Sequence, residues 1–199
     1  MKLVLFLLAA CCASAQNRPD GLYAIFRTSF GEFTARLFEK ETPNTVSNFV
    51  SLAIGATATR SPETGQLVKR NFYDNITFHR VVRDEMIQAG DPTGTGRFNC
   101  GFRIRDEFLP GLTFDSSGKL AMANTGEPDS GACQFFITVG PMRTWNGKYA
   151  IFGTVIEGQE VVNAINRAPA RGDKPVDPVK LQSVIVQRVG PPPVKKPKK

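Results

Sequence analysis

The chain has 199 residues, 41% of them hydrophobic, which favours a single domain of ordinary size with a sizeable core. Its formal net charge is +7, but the motifs of a dedicated nucleic-acid-binding protein are missing, so we expect no nucleic-acid partner. One histidine and four cysteines without metal-ligand spacing argue against a zinc site, and no metal site is predicted.

The N-terminus has the pattern of a targeting segment. A basic start at Met1–Lys2 precedes an apolar run over residues 3–10, and Ala13–Ser14–Ala15 matches the small-x-small pattern before a signal-peptidase cut. This predicts a signal peptide over residues 1–15 and an exported protein, periplasmic or secreted. The run is shorter than the roughly 20 apolar residues that span a bilayer, so no membrane span is predicted. An alternative stays open: Leu8–Ala9–Ala10–Cys11 resembles a bacterial lipobox, which would attach a lipid anchor to Cys11.

The first predicted elements are a β-hairpin and a helix. Alternating residues in Leu22–Thr28 and Gly31–Phe38 flank a short turn, which is a hairpin pattern. Thr42 is a plausible helix N-cap because Pro43 suits the first helical position. Apolar residues then recur at helical spacing, at Val46, Phe49, Val50 and Ala53.

Short strands separated by glycine and proline residues follow, as expected for a small antiparallel barrel. A second helix is predicted over residues 158–167, with Val161, Val162 and Ile165 on one face. Residues 189–199 are rich in proline and lysine, and we expect an extended, disordered tail because such a sequence cannot bury a core. The fifteen phenylalanines suggest an interior filled by aromatic packing.

The segments 78–82 and 86–91 carry the clearest chemical signal. They place a fixed cation, Arg80, a few residues from an apolar side chain, Met86, and an amide, Gln88. Residues 122–124 and 134–137 add apolar surface with interleaved amides. This combination suits a neutral, partly apolar substrate with a peptide carbonyl to orient. It does not suit hydrolysis, because no nucleophile with an adjacent base lies beside it.

Four sequence blocks resemble the signature blocks of the cyclophilins, in order and in spacing. They are FHRVV…MIQAGDPTGTG, LAMAN, CQFFITV and NGKYAIFGTVIEG, and the resemblance extends over residues 21–188. It implies an eight-stranded, closed antiparallel β-barrel capped by two α-helices, with a substrate groove on its outer surface. It also implies a peptidyl-prolyl cis-trans isomerase, expected to be a monomer without a cofactor, whose partners are proline-containing polypeptides.

The resemblance assigns roles to individual residues. Arg80 would be catalytic and Gln88 would orient the substrate backbone. Met86, Phe136 and the residue beside Trp145 would line the proline pocket. Trp145, Glu85 and Tyr149, which stands where many members have histidine or tyrosine, are further candidate substrate-binding residues. The strand that binds the peptide would include Ala123, Asn124 and Thr125, and Gln134 would add a further polar contact.

The chain departs from the family pattern at two positions. Glu85 replaces a phenylalanine that usually forms the floor of the proline pocket, and a buried carboxylate is costly unless it is paired, for example with Arg80, or turned to solvent. Trp145 stands one position later than the tryptophan of many members, so its contact and any sensitivity to cyclosporin stay open. Glu85 also leaves an alternative function open, a weakly active or inactive module that binds proline-containing segments.

Three further features have simpler interpretations. After cleavage, Cys100 and Cys133 would remain, and we expect two free, partly buried thiols, although an even pair permits a disulfide. His79 is expected to be a packed, hydrogen-bonded residue that supports the Arg80 strand. Residues 94–96 lack the lysine of a phosphate loop, which favours a loop behind the groove.

Overall fold

A computed structural model of the protein describes residues 18–193, which form a mainly β fold with two α-helices. The predicted signal peptide, Cys11 and the last six residues of the predicted tail lie outside the described residues. The elements are Gly21–Thr28 (β1), Gly31–Leu37 (β2), Pro43–Ala53 (α1), Ala58–Arg60 (β3), Leu67–Lys69 (β4), Ile76–Thr77 (β5), Arg80–Val82 (β6), Met86–Ala89 (β7), Lys119–Met122 (β8), Phe135–Thr138 (β9), Ile151–Glu157 (β10), Gln159–Asn166 (α2), Ala170–Arg171 (β11), Lys174–Pro175 (β12) and Lys180–Val189 (β13), with one 3₁₀ turn at Arg143–Trp145.

The main sheet has nine antiparallel strands in the order β5-β13-β1-β2-β10-β8-β9-β7-β6. Its end strands, β5 and β6, are consecutive in the chain, and only Phe78 and His79 lie between them. The sheet must therefore curl until its two ends meet at that connection. The mainly β fold with two helices confirms the prediction, whereas the strand count is nine rather than eight because the short strand β5 pairs with β13. Two separate two-stranded ribbons, β3–β4 and β11–β12, complete the strands.

The first hairpin forms as predicted. β1 and β2 pair from Leu22–Leu37 to Thr28–Gly31, and the Thr28 hydroxyl stabilises the turn by donating to the Gly31 carbonyl and accepting from the Phe30 N–H. On its other edge β1 pairs with β13 along its whole length. The last strand ends at Val189, which is the first residue of the predicted tail.

Aromatic rings fill the interior, in agreement with the phenylalanine-rich composition. The rings of Phe26 and Phe33 stack at a centroid distance of 4.6 Å, and Phe49 meets Phe135 edge-on at 5.6 Å. All four side chains are at most 1% exposed. Helix α1 contributes Phe49 to this cluster, and this burial is what holds the helix against the sheet.

Helix α1 begins where predicted, but its N-terminus is capped differently. Thr42 occupies the N-cap position without capping the helix, because its hydroxyl donates to the Phe38 carbonyl instead. The first N–H groups of the helix are satisfied from a distant loop: the Glu107 carboxylate accepts from the N–H groups of Asn44 at 3.1 Å and Thr45 at 2.8 Å. A carboxylate also interacts favourably with the positive end of the helix dipole.

Neither helix within residues 18–193 has the length and apolar character needed to cross a membrane.

Candidate active site

Three neighbouring strands bring the predicted catalytic and substrate residues onto one face. In the ladders β6–β7 and β7–β9, Arg80 lies opposite Gln88, and Gln88 lies opposite Phe136. Directly opposed residues of antiparallel strands project to the same face of the sheet, and so do residues two apart on one strand, such as Met86 and Gln88. Because β6 and β7 form a short hairpin, three residues that are close in sequence lie side by side on this face: the Arg80 cation, the Gln88 amide and the apolar Met86.

A chain of polar contacts crosses this face. Arg80 is half-exposed; its Nε donates to the Asp173 carboxylate at 2.9 Å, and its Nη1 lies 3.4 Å from the Gln88 Oε1. The Gln88 amide donates to the Gln134 Oε1 at 2.9 Å, and the Gln134 amide donates to the Gly96 carbonyl at 3.1 Å. These contacts fix both amides and leave Arg80 accessible, so a peptide laid across the face meets preoriented donors and acceptors.

A cluster of apolar side chains, where the proline pocket is expected, contains four of the candidate substrate residues together with others that the sequence did not reveal. Met86 and Phe136 are buried, and the rings of Trp145 and Tyr149 meet Phe136 edge-on at centroid distances of 5.4 and 5.1 Å. The contact of Trp145, which the sequence left open, is therefore with this pocket. Phe114, stacked on Phe136 at 5.9 Å, is an addition, because it lies in a loop without periodicity.

The segment predicted to bind the peptide follows β8. The Ala123 N–H donates to the Gln134 carbonyl, the Thr125 N–H donates to the Ser130 hydroxyl, and the Asn124 side chain donates to the Lys148 carbonyl at 2.8 Å. A cavity of about 270 Å³ opens beside this segment. Its lining includes Gln88, Asn124 and Gln134, so it adjoins the face that carries Arg80.

Glu85 lies in the turn between β6 and β7, directly before Met86. Its N–H donates to the Val82 carbonyl and its carbonyl accepts from the Val139 N–H, so its backbone position is fixed. The side chain is partly exposed, and the ion pair of Arg80 is made with Asp173 instead. The predicted effect of Glu85 on the proline pocket stays a prediction.

Two residues that support the site were missed in the sequence. Asp173 lies in the turn between β11 and β12, where its carbonyl accepts from the Val81 N–H and its carboxylate pairs with Arg80. Asn166, at the end of α2, is 2% exposed. Its amide donates to the carbonyls of Val82 at 2.8 Å and Met86 at 3.1 Å, and its Oδ1 accepts from the Asp84 N–H. Both residues are distant in sequence from the hairpin they hold, and no local pattern marks them.

His79 packs beside the Arg80 strand, as predicted, but the predicted hydrogen bond of its side chain is not formed with good geometry. The side chain is 8% exposed, as expected of a packed residue, but neither ring nitrogen has a hydrogen-bond partner among residues 18–193. Burial lowers the pKa of the imidazole from its ordinary value, and the nearby Arg80 cation lowers it further, whereas the Asp91 carboxylate and the neighbouring Gln134 side chain oppose the shift.

This lowered pKa predicts a pH dependence of stability. Between the folded-state pKa of His79 and the unfolded value of about 6.5, the unfolded chain binds more protons, so the free energy of unfolding rises with pH. We therefore expect the wild type to lose stability as the pH falls below about 6.5, and His79→Gln to flatten that slope. Urea unfolding at several pH values between 7.5 and 4.5 measures it. The chain has one histidine, so equal slopes in the two proteins would contradict the assignment.

Cys100 and Cys133 are free thiols in the structure, and both are fully rather than partly buried, at 1% and 2% exposure. A hydrogen bond with Cys100, together with burial, raises the pKa of the Cys133 thiol. Because both side chains are at most 2% exposed, neither thiol is accessible enough to act as a nucleophile.

Comparisons with known proteins agree with this geometry. The family described as "Cyclophilin type peptidyl-prolyl cis-trans isomerase/CLD" matches residues 23–186. The chain is 43% identical to peptidyl-prolyl cis-trans isomerase A of Mycobacterium tuberculosis over 181 residues, covering 89% of this chain and 99% of that protein. It is also 43% identical to peptidyl-prolyl cis-trans isomerase B of Streptomyces anulatus, covering 84% and 98%.

A solved structure shows the same fold. The crystal structure of a cyclophilin-type isomerase from Cryptosporidium parvum, in the presence of the dipeptide Ala-Pro, superposes with a TM-score of 0.73 at 30% sequence identity. The alignment covers 84% of this chain and 99% of that one. The fold and these relatives together place the chain in the cyclophilin-type peptidyl-prolyl cis-trans isomerase family.

Proposed function

We propose that the protein accelerates cis/trans isomerisation of X-Pro bonds in exported polypeptides and so assists their folding, with Arg80 as the catalytic residue. The observation that carries this proposal is the position of an accessible cation, Arg80, on the same strand face as the apolar pocket of Met86 and Phe136. A proline ring suits that pocket, and its flanking peptide groups then lie within reach of the guanidinium. The Ala-Pro dipeptide in the crystal of the Cryptosporidium relative supports a proline-containing partner.

The reaction needs loss of amide resonance rather than a proton transfer or a covalent bond. Rotation about a peptide bond faces a barrier of about 18–20 kcal/mol, and uncatalysed X-Pro exchange takes tens to hundreds of seconds. A guanidinium that donates to the prolyl nitrogen, or near it, favours the pyramidal nitrogen of the twisted state. Lowering the barrier by about 7 kcal/mol accelerates exchange by about five orders of magnitude. Arginine suits this role because it stays cationic and holds its donors in a rigid fork.

The remaining groove residues orient the substrate. Gln88 and Gln134 are locked to each other by a hydrogen bond, so their remaining donors and acceptors face the peptide at a fixed angle. The segment of Ala123, Asn124 and Thr125 is held in place by the hydrogen bonds of its own N–H groups to Gln134 and Ser130, and would border the bound peptide. Because these contacts are made before the reaction starts, little binding free energy is lost to ordering the site.

A direct test measures proline isomerisation with purified residues 16–199, by protease-coupled assay and by NMR exchange spectroscopy on the same tetrapeptide. We expect catalytic exchange at substoichiometric enzyme. Binding of proline peptides without acceleration would instead support the alternative function, a module that holds proline-containing segments. The ion pair between Arg80 and Asp173 and the carboxylate of Glu85 are the two observations that favour that alternative.

Glu85 gives a prediction of its own. A carboxylate where relatives carry an apolar pocket floor has to stay solvated or paired, and either arrangement reduces apolar contact with the proline ring. We therefore expect Glu85→Phe to raise kcat/KM for proline peptides by roughly threefold through tighter transition-state binding. Glu85→Gln serves as the control that removes charge without adding an aromatic ring. A Glu85→Phe protein that is folded and equal to or slower than the wild type would show that Glu85 is harmless or useful.

We further propose that the mature protein begins at Gln16 and is soluble in the periplasm or outside the cell. The support is the Ala13–Ser14–Ala15 pattern after the apolar run. Intact-mass spectrometry of the exported protein checks this, and the expected mass is that of residues 16–199. A diacyl or triacyl mass on Cys11 would identify a lipoprotein instead.

A further inference from the structure

An open depression of about 550 Å³ lies beside Arg80 and shares no lining residue with the apolar pocket. Arg80 and Gln88 form its border with the substrate groove. The loop 93–96 lines one side, and the β11–β12 ribbon lines another. A side chain bound in the depression would therefore belong to the same peptide that lies across Arg80.

The depression is positively charged. Arg171 and Lys174 are register partners in the β11–β12 ribbon, so their side chains lie next to each other, and both are exposed. Neither makes an ion pair with another residue in the described part of the chain. The one acidic residue in the lining, Asp173, is paired with Arg80. Three cations against one carboxylate leave two positive charges facing the depression.

His79 adds an unsatisfied polar group to the same lining. The imidazole is more than nine-tenths buried, it lines the depression, and both of its ring nitrogens lack partners within residues 18–193. Gly96 covers it without a side chain: a Cβ at that position would stand 3.6 Å from Nε2. Both ring nitrogens are covered from solvent, so His79 closes the floor of the depression, and the charged groups that a ligand meets there are Arg171 and Lys174 on its rim.

We propose that this depression binds an anionic side chain of the substrate polypeptide, a carboxylate or a phosphorylated hydroxyl, near the isomerised proline. The proposal rests on the isomerase function above, and it adds a preference for acidic sequences. Arg171 and Lys174 attract the anion and supply the N–H donors that bind it. Arg80 remains engaged at the proline.

The test compares matched proline peptides by NMR exchange. A single Glu or Gln, or a phosphoserine or Ser, is placed at each position within three residues of the proline. For the wild type we expect kcat/KM to be about fivefold higher for the anionic member of a pair at one position or more, and this ratio to fall as salt is raised. The Glu and phosphoserine series identify which anion is preferred.

The double variant Arg171→Gln and Lys174→Gln should bring that ratio close to one. The matched control is Arg60→Gln with Lys69→Gln, which changes the net charge equally on exposed residues of the other ribbon, β3–β4, and should keep the ratio. Thermal unfolding checks that each variant is folded. If the double variant is unfolded, Lys174→Gln alone is measured instead, and it should lower the ratio partially.

The outcomes separate the two proposals. Turnover of the Gln and Ser peptides without any anionic preference in the wild type overturns the depression as a binding site and leaves the isomerase function intact. A preference that survives in the double variant overturns it as well. If no peptide is accelerated, the isomerase function fails, and the preference fails with it.

Discussion

Replacing Arg80 with alanine is expected to lower kcat/KM for proline peptides by roughly a hundredfold or more, a loss of about 3 kcal/mol of transition-state stabilisation. The reason is that Arg80 is the accessible cation next to the apolar pocket, where a twisted prolyl amide requires a donor. The fold should survive, because the side chain is half-exposed and its ion pair with Asp173 is a surface one. Exchange spectroscopy on a proline peptide, together with a thermal unfolding curve, measures both effects.

Arg27→Ala is the matched control for this experiment. Arg27 also makes an exposed ion pair through its Nε, with Glu32 at 3.1 Å, but it lies on the β1–β2 hairpin away from the groove. It should keep near wild-type activity. Arg80→Lys retains the charge without the rigid fork, so an intermediate rate is expected. Near wild-type turnover in Arg80→Ala would contradict the proposed mechanism.

Replacing Asn166 with alanine is expected to lower the free energy of unfolding by about 3 kcal/mol and to reduce activity as well. The substitution removes three hydrogen bonds to the β6–β7 hairpin, those to the carbonyls of Val82 and Met86 and that from the N–H of Asp84. The Val82 carbonyl still accepts from the Glu85 N–H, so the cost falls mainly on the other two groups. Each unsatisfied buried group costs about 1–3 kcal/mol, although water reaches some of them once the side chain is gone. Asp84 has φ +61°, an uncommon backbone conformation for a residue with a side chain, and this contact helps to hold it.

Asn163→Ala tests whether the hairpin contacts, rather than any asparagine on α2, explain the effect. Asn163 lies one turn earlier on the same helix, where its side chain accepts from Gln159. Its replacement should cost well under 1 kcal/mol and leave kcat/KM unchanged. Urea unfolding gives the stability of each variant, and kcat/KM gives the activity. Equal losses in the two variants would mean that Asn166 acts as a general helix residue and does not anchor the hairpin.

Local features of the fold were predictable from the sequence because their causes are local. The β1–β2 hairpin follows from alternation around a short turn, and α1 follows from a proline at its start and apolar residues at helical spacing. The candidate site was predictable for a different reason. Arg80, Met86 and Gln88 belong to one hairpin, so their order in the chain is nearly their order on the face.

What the sequence could not reveal are partners joined only by the closure of the fold. Asp173 reaches Arg80 across 93 residues, Asn166 reaches Asp84 across 82, and Glu107 reaches Thr45 across 62. A carboxylate in a turn or an amide at a helix end is ordinary in its own surroundings, and nothing nearby indicates what it touches. The same reason explains why Thr42 was expected to cap α1: local preference favours it, and a more distant carboxylate takes its place.

The position of β13 between β5 and β1 has a consequence for how the chain comes to be folded. Within residues 18–193 the last strand pairs with the first along its whole length, from Gly21–Val189 inward, so the sheet cannot be completed until residues 180–189 have been made. Until then β1 has an open edge, and the interior around Phe26 stays incomplete. Such long-range pairing slows folding. For an exported chain, as proposed above, that delay keeps the polypeptide incompletely folded until residues 180–189 are available.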